Sequence, residues 1–200
     1  MKYMIELRNI FLSFQETTVF NDFSFSVEKG ENVCISGPSG KGKSSVLKMI
    51  QGYLLPDRGE IMVGGLVLNK PNIKSIRSQV AYVPQNIHLP VATGKELLAL
   101  IGNERKESLA VSFLEQLGLP STMIERPFDE MSGGQKQRIV IAVCLSLERD
   151  ILLMDEPTAS LDDESIVKLI DVVNCLEDTT VVSASHNKKW SNAAGEVIYL

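Results

Sequence analysis

The stretch Gly37-Pro38-Ser39-Gly40-Lys41-Gly42-Lys43-Ser44 sets a glycine, four free positions and then Gly-Lys-Ser between two structured runs. Asn32-Val33-Cys34-Ile35-Ser36 before it reads as a strand, and Ser44-Ser45-Val46-Leu47-Lys48-Met49-Ile50 after it as a helix. Gly37, Gly40 and Gly42 let the backbone curl so that successive N–H groups converge on an anion. A helix beginning near Gly42 or Lys43 adds the positive end of its dipole. Lys43 then reaches β- and γ-phosphates, and Ser44 Oγ supplies an oxygen ligand to Mg²⁺. At ordinary residue frequencies such a match arises by chance in about 1% of chains this long, and the flanks lower that figure. The pattern implies a nucleoside triphosphate held on a strand–loop–helix unit.

Outward from the loop, the N-terminal part reads as strands and turns. Ile5-Glu6-Leu7 and Phe23-Ser24-Phe25-Ser26-Val27 alternate as half-buried strands do. Pro56-Asp57-Arg58-Gly59 is a turn leading to the strand Glu60-Ile61-Met62-Val63, and Gly64-Gly65 signals a hairpin. Val80-Ala81-Tyr82-Val83 is a strand ending before Pro84-Gln85. From Gly94 to Glu125 the composition turns helical, with Ala110, Phe113, Leu114 and Leu117 on one face and Gly118 and Pro120 as stops. An apolar helix is expected from Gln135 to about Leu147. Strands at Ile151–Met154, Thr179–Val182 and Val197–Leu200 then alternate with a helix through Ile166, Leu169, Ile170 and Val173. This alternation predicts a mostly parallel α/β sheet in one domain.

Composition excludes more than it identifies. Two hundred residues suffice for one domain with a sizeable core. A net charge of -5 and a pI near 5.2 argue against a nucleic-acid partner. Cys34, Cys144 and Cys175 are odd in number and set in apolar runs, so they read as buried free thiols of a reducing compartment. Glu6 and Arg8 interrupt the N-terminal run where a signal peptide needs apolar residues. The apolar stretch Ile139–Leu147 is far short of a membrane span. The expectation is a cytosolic protein, soluble by itself.

Two further segments carry chemistry. Ile151-Leu152-Leu153-Met154 is a buried strand that delivers Asp155 to the sheet's carboxyl edge, where it can hold Mg²⁺. Glu156 follows directly and is placed to polarise an attacking water. Met131-Ser132-Gly133-Gly134-Gln135 opens the next helix and makes a second anion site from free N–H groups, a hydroxyl and a helix dipole. By itself that pentapeptide is an ordinary N-cap followed by glycines. A nucleotide needs only one phosphate cradle, so the second helix start calls for an explanation.

Six motifs in order supply one. The phosphate loop Gly37–Ser44, Gln85, Met131–Gln135, Ile151–Glu156, Ala159-Ser160-Leu161-Asp162 and His186 resemble, over essentially the whole chain, the nucleotide-binding subunits of ABC transporters. The resemblance implies a P-loop NTPase fold with a mostly parallel core sheet, an N-terminal antiparallel β subdomain and a small α-helical subdomain carrying the signature motif. Residues 1–87 and 148–200 would form the nucleotide-binding core and 88–147 the helical subdomain. It also implies ATP and Mg²⁺ as ligands, hydrolysis to ADP and phosphate, and a head-to-tail dimer. The second subunit would be another copy or a paralogue, and a separate membrane permease would hold the pair on the cytoplasmic face.

The resemblance assigns residues as follows. The loop Gly37, Pro38, Ser39, Gly40, Lys41, Gly42, Lys43 and Ser44, with Ser45 on the α-phosphate, binds the nucleotide. Ser44, Asp155 and Gln85 bind or sense Mg²⁺, and Gln85 links the site to the permease. Lys43, Gln85, Glu156 and His186 are catalytic. Ser132, Gly133, Gly134 and Gln135 close over the partner's ATP, and Asp162 lies at the dimer seam. Phe14 stands where the family has a tyrosine stacking on adenine, the alternative being an ordinary core phenylalanine. His88 has no such support and reads as a surface residue.

Some positions depart from the family pattern. Met131 replaces a leucine, Lys41 adds charge at a variable position, Ala159-Ser160 inverts a common pair, and Val143 stands where many relatives have arginine. The sequence ends at Leu200, so the expectation is a minimal version of the fold. The competing reading is a soluble ATPase of the same family in cytosolic assembly, such as iron–sulfur cluster biogenesis. The short span between Gln85 and Ser132 leaves no room for the coiled coil of chromosome or repair ATPases. A small-molecule kinase would explain the phosphate loop but not Gln85, the signature or His186.

Overall fold

Apolar residues on both faces of the central strands build an all-parallel five-stranded sheet with helices packed around it. The computed structural model describes residues 3–15, 17–101 and 106–200. Residues 102–105 of the expected helical stretch and the first two residues of the chain lie outside the described residues. Strands β1 (Tyr3–Phe14), β2 (Thr17–Glu28), β4 (Arg58–Val63) and β5 (Leu66–Val67) form an antiparallel sheet in the order β2-β1-β4-β5. Strands β3 (Asn32–Ser36), β6 (Val80–Val83), β7 (Ile151–Asp155), β8 (Thr180–Ala184) and β9 (Glu196–Tyr199) form the parallel one, in the order β6-β7-β8-β3-β9. The helices are α1 (Lys43–Ile50), α2 (Ile73–Ser78), α3 (Gly94–Leu100), α4 (Glu107–Gln116), α5 (Gly133–Ser146), α6 (Asp163–Asn174) and α7 (Lys188–Ala193).

The period-two geometry of a strand explains the continuous apolar runs. On β7, Ile151 and Leu153 point into a core shared with the antiparallel sheet and α1, while Leu152 and Met154 point into a second core against α4, α5 and α6. β3 divides the same way, with Val33 and Ile35 on one side and Cys34 on the other. All five residues of β7 and of β8 are buried. Helix α5 is correspondingly apolar on most sides, with Ile139, Val140, Ile141, Ala142 and Val143 buried. Val143 fills core space, and Met131 is buried as a leucine would be.

Several expectations are corrected. β1 and β2 are each twelve residues long, much longer than the alternating stretches foretold, and register shifts along their pairing break the simple alternation. The turn expected at residues 56–59 gives way to β4 already at Arg58. Helices α2 and α7 were not foreseen; each has six residues, too few to show a period. The three cysteines are free, but only Cys34 is buried; Cys144 is half-buried and Cys175 is exposed just beyond α6. His88 is exposed, as read from the sequence.

Candidate active site

The phosphate loop leaves β3 and enters α1 at a position only glycine fits. Gly42 caps α1 with φ 95°, in the left-handed region, and a Cβ there would lie 2.7 Å from both Phe20 Cζ and Val19 Cγ1. The antiparallel sheet therefore props the loop from behind. Lys43, the first residue of α1, is 7% exposed and folds its ammonium back into the loop. It donates to the carbonyl oxygens of Gly37 at 2.8 Å and Pro38 at 3.1 Å. A buried cation must be paired, and these carbonyls with Glu156 do that. The far end of α1 is held by Arg77, which donates to the carbonyls of Gln51 and Gly52.

Two carboxylates follow at the carboxyl end of β7. Asp155, 4% exposed, accepts from Ser44 Oγ at 2.9 Å on Oδ1 and from the Tyr82 hydroxyl at 3.4 Å on Oδ2. Burial raises its pKa above the ordinary carboxylate value, and the neighbouring Glu156 adds to that, against the hydrogen bonds from Ser44 and Tyr82. Glu156 takes φ 47° immediately before Pro157, a costly backbone conformation for a side-chain-bearing residue. Its N–H donates to Ala184 O at 2.8 Å, which ties the strained turn to β8. The Glu156 carboxylate lies 3.8 Å from Lys43 Nζ through Oε1 and 2.9 Å from His186 Nδ1 through Oε2. His186, just past β8, has 70% of its side chain exposed.

Phe14, Val19, Ser39, Gly40, Gly42, Lys43, Ser44, Ser45, Gln85 and Glu156 line one open cleft of about 250 Å³. Phe14 is 48% exposed on its wall, so it is not a core phenylalanine. Gly37 and Pro38 join this group through Lys43, Asp155 through Ser44, and His186 through Glu156. Lys41 is exposed and does not line the cleft.

The signature residues belong to another surface. Ser132 caps α5 in a reciprocal box with Gln135, its Oγ accepting from Gln135 N at 3.3 Å while Gln135 Oε1 accepts from Ser132 N at 3.0 Å. Gly134 sits so close to the next loop that a Cβ would meet Ser160 O at 2.5 Å. Asp162 is exposed and caps α6 by accepting from Ser165 N at 2.8 Å, an interaction that lowers its pKa. Ser132 to Gln135 and Ser160 to Asp162 thus adjoin one another, and none of them lines the cleft.

Sequence reasoning missed Tyr82. Its strand was foreseen, but nothing in the alternation marks a hydroxyl that reaches across to the neighbouring strand. Val19 was missed too, because its role is to back the loop.

A phosphate-loop α/β fold with adjoining acidic residues at the sheet's carboxyl edge defines a nucleotide-hydrolysing P-loop protein. The family profile described as "ABC transporter" matches residues 20–159. The ATP-binding protein EcfA1 of the energy-coupling factor transporter of Listeria monocytogenes is 34% identical over 197 residues, covering 92% of this chain and 70% of that protein. The glutamate/aspartate import ATP-binding protein GltL of Escherichia coli is 34% identical over 210 residues, covering 98% and 87%. The dimeric structure of MJ0796, a bacterial ABC transporter cassette, superposes with a TM-score of 0.87 at 26% identity over 98% of this chain and 94% of that one. A post-hydrolysis dimer of the same cassette bound to ADP and Pi gives 0.84 at 27% identity. The chain belongs to the ABC transporter family, as an ATP-binding, ATP-hydrolysing subunit. Family members of this kind dimerise and work with transmembrane subunits. No helix among the described residues is long and apolar enough to cross a membrane.

The strained and buried acidic edge has a consequence for stability. Asp155 holds its proton more tightly folded than unfolded, so its contribution to stability falls as pH rises from the ordinary carboxylate value through its raised folded value. Above that range the cost of burying the charge is fully present. Asp155→Asn is therefore expected to raise the thermal midpoint of the nucleotide-free protein at pH 7–8, with the gain over wild type shrinking as pH falls through the raised folded value and smallest below about 4. Differential scanning calorimetry across pH checks this. A midpoint lowered at neutral pH would show that the carboxylate is stabilised by its surroundings.

Proposed function

We propose that this chain powers transport through a separate membrane permease by hydrolysing ATP at two sites shared between paired subunits. The observation that carries the reading is the cleft itself. Lys43, Glu156 and His186 form one contact chain there and Ser44 and Asp155 another, side by side at one sheet edge. The cleft's volume of about 250 Å³ lies below the range of about 300–1,000 Å³ for a complete ligand pocket. A half-walled site fits closure by another subunit, either a second copy or a paralogue. Ser132, Gly133 and Gly134 are exposed or half-exposed at a helix start and would supply the missing anion-binding wall in trans. The similar transport subunits favour this over cytosolic assembly. The place of action is then the cytoplasmic face of the membrane, through the permease.

In this reading ATP phosphates replace the Gly37 and Pro38 carbonyls as partners of Lys43, and the loop N–H groups hold them. Ser45 reaches the α-phosphate and Phe14 stacks on the base. Ser44 Oγ and the Asp155 carboxylate are adjoining hard oxygen donors, and a buried carboxylate of raised pKa gains from a cation, so the pair fits Mg²⁺. When bound, Mg²⁺ would supply charge neutralisation of the phosphates. His186, largely exposed, can turn from Glu156 to a γ-phosphate oxygen, which frees Glu156 Oε2 to accept a proton from water. That water attacks the γ-phosphorus and ADP leaves. Gln85, exposed on the cleft wall, orients the water and reports on the site to the permease.

Glu156→Gln is expected to slow turnover by roughly 10²–10⁴-fold with nucleotide affinity little changed. Lys43→Ala should instead weaken nucleotide binding, because it removes a charge-assisted contact. Steady-state hydrolysis alongside equilibrium nucleotide binding tests both. Near-wild-type turnover in Glu156→Gln would remove this residue from the reaction.

The permease docks beside Gln85. Ile87, Leu89 and Val91 pack inward on the helical core and outward line a cavity of about 430 Å³ with His88, Phe128 and Lys136. Such a half-buried apolar pocket suits an anchoring helix. Ile87→Asp and Leu89→Asp should abolish co-purification with the permease while basal hydrolysis persists. Undiminished co-purification of folded, active variants would place docking elsewhere.

A further inference from the structure

The Tyr82 hydroxyl has no part in the chemistry above, yet it approaches one of its most sensitive groups. Ser44 Oγ donates to Asp155 Oδ1 at 2.9 Å, and Tyr82 reaches Oδ2 at 3.4 Å. We infer that Tyr82 is a positioning residue for the divalent cation: its hydroxyl fixes the rotation of the Asp155 carboxylate so that the metal-binding face is set before the metal arrives. The inference rests on the reading of Ser44 and Asp155 as the metal pair.

The sheet geometry makes the contact possible. β6 and β7 pair in parallel with Tyr82 opposite Leu153, two residues before Asp155. Tyr82 and Leu153 pack into the same core, and Asp155, two positions on from Leu153, projects from that same face of the sheet. Two residues of strand rise span about 6.6 Å, close to the reach of a tyrosine from Cα to hydroxyl. A phenylalanine would fill the same space without the donor. A hydroxyl in this half-buried place costs stability unless it finds a partner, and Asp155 is the acceptor it has. Burial and the adjacent negative charge push the Tyr82 hydroxyl up to about 12, so it remains a donor throughout the neutral range.

The consequence for Asp155 follows from its burial. With Ser44 alone, one oxygen of a carboxylate that is 4% exposed would lack a donor and the group could rotate away from its metal-binding orientation. With both contacts, its rotation is restrained. The backbone carbonyl of Tyr82 also accepts from Cys144 Sγ on α5 at 3.5 Å, so the helix begun by the signature touches the residue that orients the carboxylate.

The test separates metal binding from nucleotide binding. Tyr82→Phe is expected to weaken Mn²⁺ binding to the complex with a non-hydrolysable ATP analogue about tenfold, read by electron paramagnetic resonance titration. Nucleotide affinity in EDTA should stay at the wild-type value, and the thermal midpoint should fall by only a few degrees for the one carboxylate oxygen left without a donor. Unchanged Mn²⁺ affinity would overturn the inference, as would an equal loss of metal-free nucleotide affinity, which marks a packing role. Failure of Tyr82→Phe to fold would overturn it too, since the ring is retained. Asp155→Asn run in parallel should abolish the protein-dependent Mn²⁺ signal. If it does not, the metal pair itself is wrong and Tyr82 falls with it, an outcome distinct from the failure of Tyr82 alone.

Discussion

Lys43 and Glu156 lie 3.8 Å apart, each with about 8% of its side chain exposed, and the surrounding fold is arranged to keep two such charges out of water. Either charge alone in that place would be strongly destabilising, because desolvation exceeds what one stray hydrogen bond returns. The phosphate loop therefore turns its Gly37 and Pro38 carbonyls inward to Lys43. β7 must end where Glu156 can enter a left-handed turn, and β8 must lie beside it so that Ala184 can accept its N–H. The same pairing brings His186, two residues after β8, to the carboxylate. A parallel sheet places all these strand ends on one edge, which is why a single cleft gathers residues from widely separated parts of the chain.

The cleft is poised by contacts that a nucleotide can replace one for one. Lys43 is held by carbonyls, Glu156 by an exposed histidine as well as Lys43, and Asp155 by two hydroxyls; the neutral partners among these are weaker for charge than phosphate or a cation. Stability has been traded for readiness at Asp155, whose burial raises its pKa, and at Glu156, whose backbone is strained.

What could be read from the sequence was what local chemistry dictates. The loop Gly37–Ser44, the strand before Asp155 and the capped start at Ser132 each show their structural reason within a few residues. The two-faced burial of β7 and β8 was legible as unbroken apolar runs. Less could be read where structure depends on distant partners. The strand order β6-β7-β8-β3-β9 follows from packing across the whole chain, and α2 contributes a single buried residue, Ile76. Phe14 could not be told from a core residue until its exposure on the cleft wall was seen. Tyr82 read as an ordinary strand residue because its meaning lies in the neighbouring strand's carboxylate.

If, as proposed, a paired subunit supplies the remaining wall of the cleft, the adjoining Ser132–Gln135 and Ser160–Asp162 surface, exposed to half-exposed, is suited to form it. Complementation between two inactive variants measures this directly. Lys43→Ala removes the cation of the phosphate loop, and Ser132→Asp keeps the helix cap but sets a negative charge where a partner's phosphate would sit. Each variant alone should be inactive. Mixed in equal amounts with Mg-ATP, half the dimers are mixed and each carries one intact site, so hydrolysis should return to about a quarter of the wild-type rate for independent sites. A mixture as inactive as its components would contradict the sharing of sites between two copies of this chain.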